Sequence, residues 1–161
     1  MSKPPLPPEA DALLSRPNPC VMATLRSDGA PVSTATWYVW KDGRVLINLD
    51  EGRVRLKHLR RDPRVTLTVL DGDGWYTHVT LIGRVTEMYD DEDLADIDLL
   101  ARHYTGKPYP DRVRPRVSAW IEVERWHGWG SMKDSDPGRR LRPVTGPVSA
   151  TAPRTPGPDS P

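Results

Sequence analysis

The densest set of charged side chains in this 161-residue chain lies between residues 51 and 64. Six cations stand there against two carboxylates, Glu51 and Asp62, although the formal net charge of the whole chain is only +1. The cations are Arg53, Arg55, Lys57, Arg60, Arg61 and Arg64. Guanidinium groups bind phosphate oxygens through paired hydrogen bonds, so this local excess suits a bound anion. A solvated helix face is the alternative interpretation of such a charge run.

A short helix is predicted inside this cluster, over residues 54–61. Asp62 and Pro63 end it, because the residue before a proline disfavours helical geometry. The free N–H groups of its first turn and the positive end of its dipole would face the same anion as Arg53 and Arg55. The pattern therefore predicts a phosphate site at the helix start.

Strand-like segments flank the cluster and continue on both sides of it. They are rich in Val, Ile, Leu and Thr or alternate apolar and polar residues, and turn residues separate them. The predicted strands are residues 20–25, 32–40, 44–49, 65–70, 75–88 and 117–124. The first three follow one another without a helix, which predicts antiparallel pairing. The long strand is expected to bulge at Gly83.

Two further helices are predicted outside the cluster, and both ends of the chain differ from the centre. Residues 9–15 form a short helix, and an acidic run at residues 89–98 opens a longer one with apolar residues at helical spacing. Residues 1–8 contain four prolines and are expected to be disordered or extended. From Ser131 onward there are seven prolines and no aromatic residue, which predicts a disordered tail. The folded domain is expected to span residues 9–130.

Composition excludes several classes of function. The chain is 37% hydrophobic and 28% charged, as in ordinary globular domains, and has no apolar run near 18 residues. We expect a cytoplasmic protein that neither spans a membrane nor carries a signal peptide. Cys20 is the only cysteine, so no internal disulfide can form, and it is expected to be a small buried hydrophobe.

Most familiar catalytic and binding motifs are absent. The four histidines stand singly, so no metal site is predicted. The segment Gly72-Asp73-Gly74 lacks the third glycine and the crossover unit of a dinucleotide-binding fold, and no phosphate-binding loop or nucleophile elbow occurs. The near-zero net charge and the acidic run argue against nucleic-acid binding.

Tryptophan replaces phenylalanine completely, with six tryptophans and no phenylalanine. Several fall at predicted strand ends or beside glycines, where an aromatic plane could line a flat ring. Core or dimer packing is the alternative for any one of them. Trp37 and the pair Trp75-Tyr76 become candidates for ring contact if a phosphate-bearing cofactor lies nearby.

The order of these elements resembles that of the pyridoxamine 5'-phosphate oxidase-like flavoproteins. The likeness covers residues 9–130 and is carried by the segment from Arg53 to Arg64 and by His127-Gly128-Trp129-Gly130. It is strongest toward the deazaflavin-dependent branch, whose members use coenzyme F-420. The resemblance implies a mainly β fold, a six-stranded antiparallel split β-barrel with flanking helices, which forms a homodimer with a cofactor groove at each end of the subunit interface.

The resemblance also implies roles for individual residues. It places the cofactor phosphate on Arg53, Arg55 and Lys57. The residues implied around the ring and its side chain are Ser33, Ala35, Thr36, Trp37 and Asn48, with Trp75, Tyr76 and His78 approaching from the long strand of the same or the partner subunit. Asn48 and Asp50 stand where relatives often have small hydroxyl residues, and a carboxylate beside a phosphate is repulsive unless an arginine screens it.

The activity implied is an oxidoreductase in which reduced coenzyme F-420 transfers hydride to a small electron-poor organic substrate. An FMN-dependent oxidase or reductase of the same fold, or a non-enzymatic flavin-binding module, are the alternatives. The cofactor carries the chemistry in each enzyme case, so no catalytic residue is assigned. Water, Tyr76 or His78 could supply a proton, and no motif identifies the substrate.

Overall fold

The computed structural model describes residues 1–133, and within them it contains one antiparallel sheet with three α-helices and a short 3-10 helix. The strands are β1 Cys20–Leu25, β2 Pro31–Thr36, β3 Val39–Lys41, β4 Arg44–Asp50, β5 Arg64–Leu70, β6 His78–Asp90 and β7 Arg116–Trp129. The helices are α1 Pro8–Leu14, α2 Val54–Arg61 and α3 Ala95–Thr105, and the 3-10 helix is Gly130–Met132. The predicted disordered tail falls almost wholly on residues 134–161, outside the described residues.

The mainly β class is confirmed, but the described residues form seven strands where six were predicted. The segment 32–40 divides into β2 and β3, because the chain leaves the sheet at Trp37 and Tyr38. Tyr38 is fully buried and donates a hydrogen bond to the carbonyl of Arg16 at 3.0 Å. Trp37 and Tyr38 both contact the ring of Tyr104, whereas consecutive side chains of a regular strand point to opposite faces of the sheet.

The sheet has the order β2-β1-β5-β6-β7-β4-β3, and every pairing is antiparallel. The two halves of the predicted strand 32–40 therefore lie at opposite edges, β2 beside β1 and β3 beside β4. Next to the edge strand β3, β4 pairs with the last strand, β7, in a register that sets Asp50 opposite Arg116. This pairing brings two distant parts of the chain to one place.

The long strand begins later than predicted, and its pairing with β7 is irregular at the predicted position. Residues 75–77 belong to a turn, because the Thr77 N–H bonds to the Gly74 carbonyl at 2.9 Å, and β6 starts at His78. The register with β7 shifts between Ile82 and Gly83, where the extra residue is Glu124 of β7. The last strand also runs to Trp129, beyond its predicted end at residue 124.

Helix α2 has the predicted bounds and buries Leu56, His58 and Leu59, while Arg60 and Arg61 are exposed and Arg55 is half-buried. Helix α3 begins at Ala95, later than predicted from the acidic run at residues 89–98, because β6 extends to Asp90. This helix buries Ile97, Leu100 and Ala101. No helix in residues 1–133 combines the length and hydropathy needed to cross a bilayer.

Two further expectations concern Cys20 and the N-terminal segment. Cys20 is 3% exposed and belongs to the core, as predicted for a buried hydrophobe. The N-terminal segment, expected to be disordered or extended, makes a bridge to the last strand: Ser2 and Trp126 exchange two backbone hydrogen bonds of 2.9 Å.

Gly83 provides a test of the irregular pairing between β6 and β7. A Cβ atom at this position would collide with the backbone carbonyl of Glu122, whereas a Cβ atom at Gly74 would have nothing within 4 Å. We expect Gly83→Ala to lower the free energy of unfolding by about 1 to 3 kcal/mol, as over-packing does. Gly74→Ala, the matched control, should change it little. Equal unfolding curves for the two variants in urea would contradict the close approach.

Candidate functional site

A cavity of about 610 Å³ opens where the end of β2, the end of β4, the start of α2 and helix α3 meet. Its two ends differ in chemistry. One end is cationic and lies at the start of α2. The other is apolar and aromatic. The lining residues are Pro17, Pro19, Cys20, Val21, Ala35, Thr36, Trp37, Asn48, Leu49, Asp50, Arg53, Arg55, Ile97, Leu100, Tyr104, Tyr109 and Arg116.

The cationic end contains three arginines and one carboxylate, that of Asp50. Arg53 and Arg116 both pair with Asp50. Arg55 has no carboxylate within ion-pair distance among residues 1–133, and its nearest acceptor is the Ala35 carbonyl at 3.5 Å. Burial lowers the pKa of the Arg55 guanidinium, the neighbouring charge of Arg53 adds to that shift, and the Asp50 carboxylate opposes it. A half-buried cation without an ion-pair partner favours an anionic ligand.

Asp50 is the residue whose charge would repel a phosphate, and two arginines neutralise it. Arg53 donates from Nε to Oδ2 at 2.8 Å, and Arg116 donates from Nη1 to Oδ1 at 2.5 Å. The Arg116 and Asp50 side chains are only 6% and 12% exposed. The carboxylate therefore acts as an anchor for two guanidiniums and leaves the positive field of Arg55 open to the cavity.

A buried network of polar side chains connects the Arg116–Asp50 pair to helix α3. The Arg116 Nε donates to Asn48 Oδ1 at 2.5 Å, and Asn48 Nδ2 donates to Asp91 Oδ2 at 2.9 Å and to the Ser118 hydroxyl at 3.1 Å. Asp91 in turn accepts the backbone N–H groups of residues 96 and 97 at 3.1 and 2.9 Å, which caps the start of α3. The cavity floor and helix α3 are thus one hydrogen-bonded unit.

The apolar end is built from three aromatic side chains. Trp37 stacks on Tyr104 with centroids 5.3 Å apart and rings 10° from parallel, and it meets Tyr109 edge-on at 6.4 Å. Arg116 lies over the Tyr109 ring, 4.5 Å from its centroid. The Tyr104 hydroxyl donates to the Asn18 carbonyl at 2.9 Å, so its ring is held from both ends. This wall offers flat, rigid surface to a planar ligand.

The cavity brings together six of the residues predicted to bind a cofactor. They are Ala35, Thr36, Trp37, Asn48, Arg53 and Arg55. The other predicted residues do not line it: Ser33, Lys57, Trp75, Tyr76 and His78. Within residues 1–133 no group of three His, Cys, Asp or Glu side chains is arranged to hold a metal ion.

The structure shows why each of these five residues lies outside the cavity lining. Lys57 follows Arg55 by two positions, which on a helix puts the two side chains on different sides. Ser33 points from the same strand as Ala35 but lies two residues farther from the cavity. Trp75 and Tyr76 stand on the turn before β6 and are 71% and 60% exposed. His78 begins β6, and its Nδ1 lies 3.1 Å from the Tyr76 carbonyl.

Sequence reasoning missed three residues of the site, Arg116, Tyr104 and Tyr109. In the sequence Tyr104 lies within the helix predicted after the acidic run, and Tyr109 lies between that helix and the last predicted strand. Arg116 directly follows Pro115 and precedes the last strand, which was predicted over residues 117–124. Its burial depends on its position opposite Asp50, because a buried arginine needs a carboxylate partner.

The sequence matches the pyridoxamine 5'-phosphate oxidase family over residues 6–130. Among solved structures, an F420 reductase is 26% identical with a TM-score of 0.69, covering 75% of this chain and 98% of that chain. A conserved hypothetical protein from Mycobacterium tuberculosis is 26% identical with a TM-score of 0.65, covering 89% and 96%. A FAD-binding protein from Mesorhizobium loti, 22% identical with a TM-score of 0.58, covers 74% and 91% and shares the fold.

The anchor makes a prediction for stability. Asp50→Ala leaves Arg116 buried without its carboxylate, and breaking a buried pair in this way costs about 3 to 5 kcal/mol. Glu51→Ala, the adjacent control, breaks an exposed pair with Arg60 and should have little effect. Chemical denaturation measures both. Similar stabilities for the two variants would show that the Arg116–Asp50 pair does not support the fold.

Proposed function

Because the chain belongs to the pyridoxamine 5'-phosphate oxidase family, we propose that it is an oxidoreductase that uses reduced coenzyme F-420 to transfer hydride to a small electron-poor organic substrate. Its fold is the split β-barrel of that family, a fold that binds flavin-type cofactors. The observation that carries the proposal is Arg55, a half-buried cation without a carboxylate partner in the described chain, beside an aromatic-walled cavity.

The residues fit a ligand that has a phosphate at one end and a flat ring at the other. Arg55 and the first turn of α2 would hold the phosphate, with charge-assisted hydrogen bonds and the helix dipole acting together. Arg53 is oriented by Asp50 and adds positive charge at the same end. The stacked Trp37 and Tyr104 would border the ring.

When bound, the reduced deazaflavin supplies the hydride, and the protein contributes binding, orientation and exclusion of water. No group in the described lining is suited to acid–base work near neutral pH. Burial raises the pKa of the Cys20 thiol to about 12 and also raises the pKa of Tyr104. Asp50 is tied to two arginines. These properties favour a reaction whose chemistry resides in the cofactor.

FMN is the alternative cofactor, since it also joins a flat ring to a phosphate and the matched family takes its name from a flavin enzyme. The similarity to an F420 reductase supports the deazaflavin. Expression in a host that makes FMN but no deazaflavin separates the two. A colourless protein that then binds added coenzyme F-420 supports our proposal, and a yellow protein with bound FMN overturns it.

Arg55 provides the direct test of cofactor binding. We expect Arg55→Ala to weaken coenzyme F-420 binding by about 1.5 to 3 kcal/mol, the value of one charge-assisted hydrogen bond, and the double change with Arg53→Ala to weaken it by about 2 to 5 kcal/mol. Lys57→Ala removes a cation from another side of the same helix and is the matched control. Fluorescence titration of the folded variants gives the affinities. Equal losses at positions 55 and 57 would contradict the assignment.

We also propose that the protein is a homodimer whose interface completes the site. Strand β2 is a sheet edge, paired with β1 alone, and none of its six residues is buried. An exposed edge of this kind is normally covered. The aromatic cluster of Trp75, Tyr76 and Trp129 lies outside the cavity of its own chain, with centroid distances of 6.1 and 6.4 Å between successive rings. A second copy would bury both features.

A two-fold dimer predicts two equivalent cofactor sites. Light scattering at micromolar concentration should give twice the chain mass of 18.1 kDa, and titration should give one cofactor per chain. Trp75→Ala is expected to weaken cofactor binding although this side chain does not line the cavity of its own chain. A monomer that binds cofactor with full affinity would refute the shared site.

A further inference from the structure

The segment between α3 and β7 contributes residues to the cavity and also to a second cavity of about 590 Å³. Tyr109 lines the first cavity, residues 112–115 line the second, and Arg116 lines both. The segment has no regular secondary structure over residues 107–115 and contains three prolines. Contacts other than the hydrogen bonds of strand pairing must therefore hold this segment in place.

Asp98 and Arg112 hold it through the backbone N–H and the backbone carbonyl of one residue, Tyr109. The Asp98 carboxylate on α3 accepts the backbone N–H of Tyr109 at 3.0 Å and a hydrogen bond from Arg112 Nη1 at 2.5 Å. The same Arg112 nitrogen donates to the Tyr109 carbonyl at 3.2 Å. Arg112 holds the pKa of Asp98 below its usual range, so the carboxylate is charged at neutral pH. We call this arrangement the Asp98–Arg112 clasp.

The clasp acts on the backbone of Tyr109 and leaves its ring free to face the cavity. That ring packs against Trp37 and under Arg116 and touches the cluster of Leu46, Ile97 and Leu100. Neither Asp98 nor Arg112 lines the first cavity. Their contribution to the site can therefore come only through the place they give to Tyr109.

We propose that Asp98 and Arg112 are positioning residues that fix Tyr109 in the wall of the binding cavity and so set the size and affinity of that cavity. This inference rests on the proposed function for its ligand and on the clasp geometry for its mechanism. Loss of the clasp frees the Tyr109 segment, which opens the aromatic wall beside Trp37.

A ligand-free measurement tests the clasp itself. The six tryptophans give six indole N–H signals, and Trp37→Phe identifies that of Trp37. We expect Asp98→Ala and Tyr109→Leu to shift this signal in the same direction, because both remove the Tyr109 ring from Trp37. Asp98→Asn, which keeps an oxygen for the Tyr109 N–H, should give a smaller shift. Arg114→Gln breaks the neighbouring exposed pair with Asp111 and should give none.

Titration with coenzyme F-420 and with FMN supplies the second arm. Asp98→Ala and Tyr109→Leu should each raise the dissociation constant by about tenfold, and the double variant by no more than either alone, since the two act as one unit. An unshifted Trp37 signal in Asp98→Ala, or additive losses in the double variant, overturns the proposal. If neither cofactor binds the unaltered protein, the proposed function fails, while the Trp37 signal still decides the clasp.

Discussion

The buried ion pair between Arg116 and Asp50 is the interaction on which the site depends. It joins the last residue of β4 to the first residue of β7 in the register that the sheet imposes. Removing two charges from water costs several kcal/mol, and the pair is tolerable only because further hydrogen bonds complete it. Asn48 supplies one of them, and the exposed Arg53 supplies another. The fold and the cationic end of the cavity therefore share one set of contacts.

The three arginines at the cationic end of the cavity have the same chemistry but different roles. Arg116 is structural, since its guanidinium forms an ion pair with Asp50 and lies over the ring of Tyr109. Arg53 is held by the same carboxylate at the cavity mouth. Arg55 alone keeps its charge available within the described chain. A site made of three free arginines would repel itself, and one carboxylate removes most of that repulsion without covering the remaining cation.

The sequence predicted the parts of the fold that depend on local pattern. Helix α2, strand β1 and the irregular pairing at Gly83 follow from residue type and spacing, and they appear with the expected bounds or position. The interruption after Thr36 was missed because it depends on where Tyr38 is buried, which is a tertiary fact. Arg53 and Arg55 of the cationic end were predicted because they are close together in the sequence, beside the predicted start of α2.

The remaining half of the cavity arises from long-range contacts that no local pattern encodes. Tyr104 enters through the helix face that pattern analysis assigns to the core, and its hydroxyl reaches Asn18, 86 positions away. From the sequence alone Arg116 is expected to lie in a loop, and only the pairing of β7 with β4 places it beside Asp50. Lys57 is close to Arg55 in sequence but does not line the cavity, because two positions along a helix put the side chains on different sides.

The pairing of β4 with β7 also determines when the site can form during synthesis. Asp50 and Arg116 are 66 positions apart, so the ribosome needs about 3 to 13 s between them at about 5 to 20 residues per second. During that interval Val45, Leu46 and Ile47 lie on a nascent strand without the neighbour that later covers one edge. Such a strand is prone to join other chains. The binding cavity is therefore completed last, and the edge of β4 that β7 later covers stays open until β7 emerges.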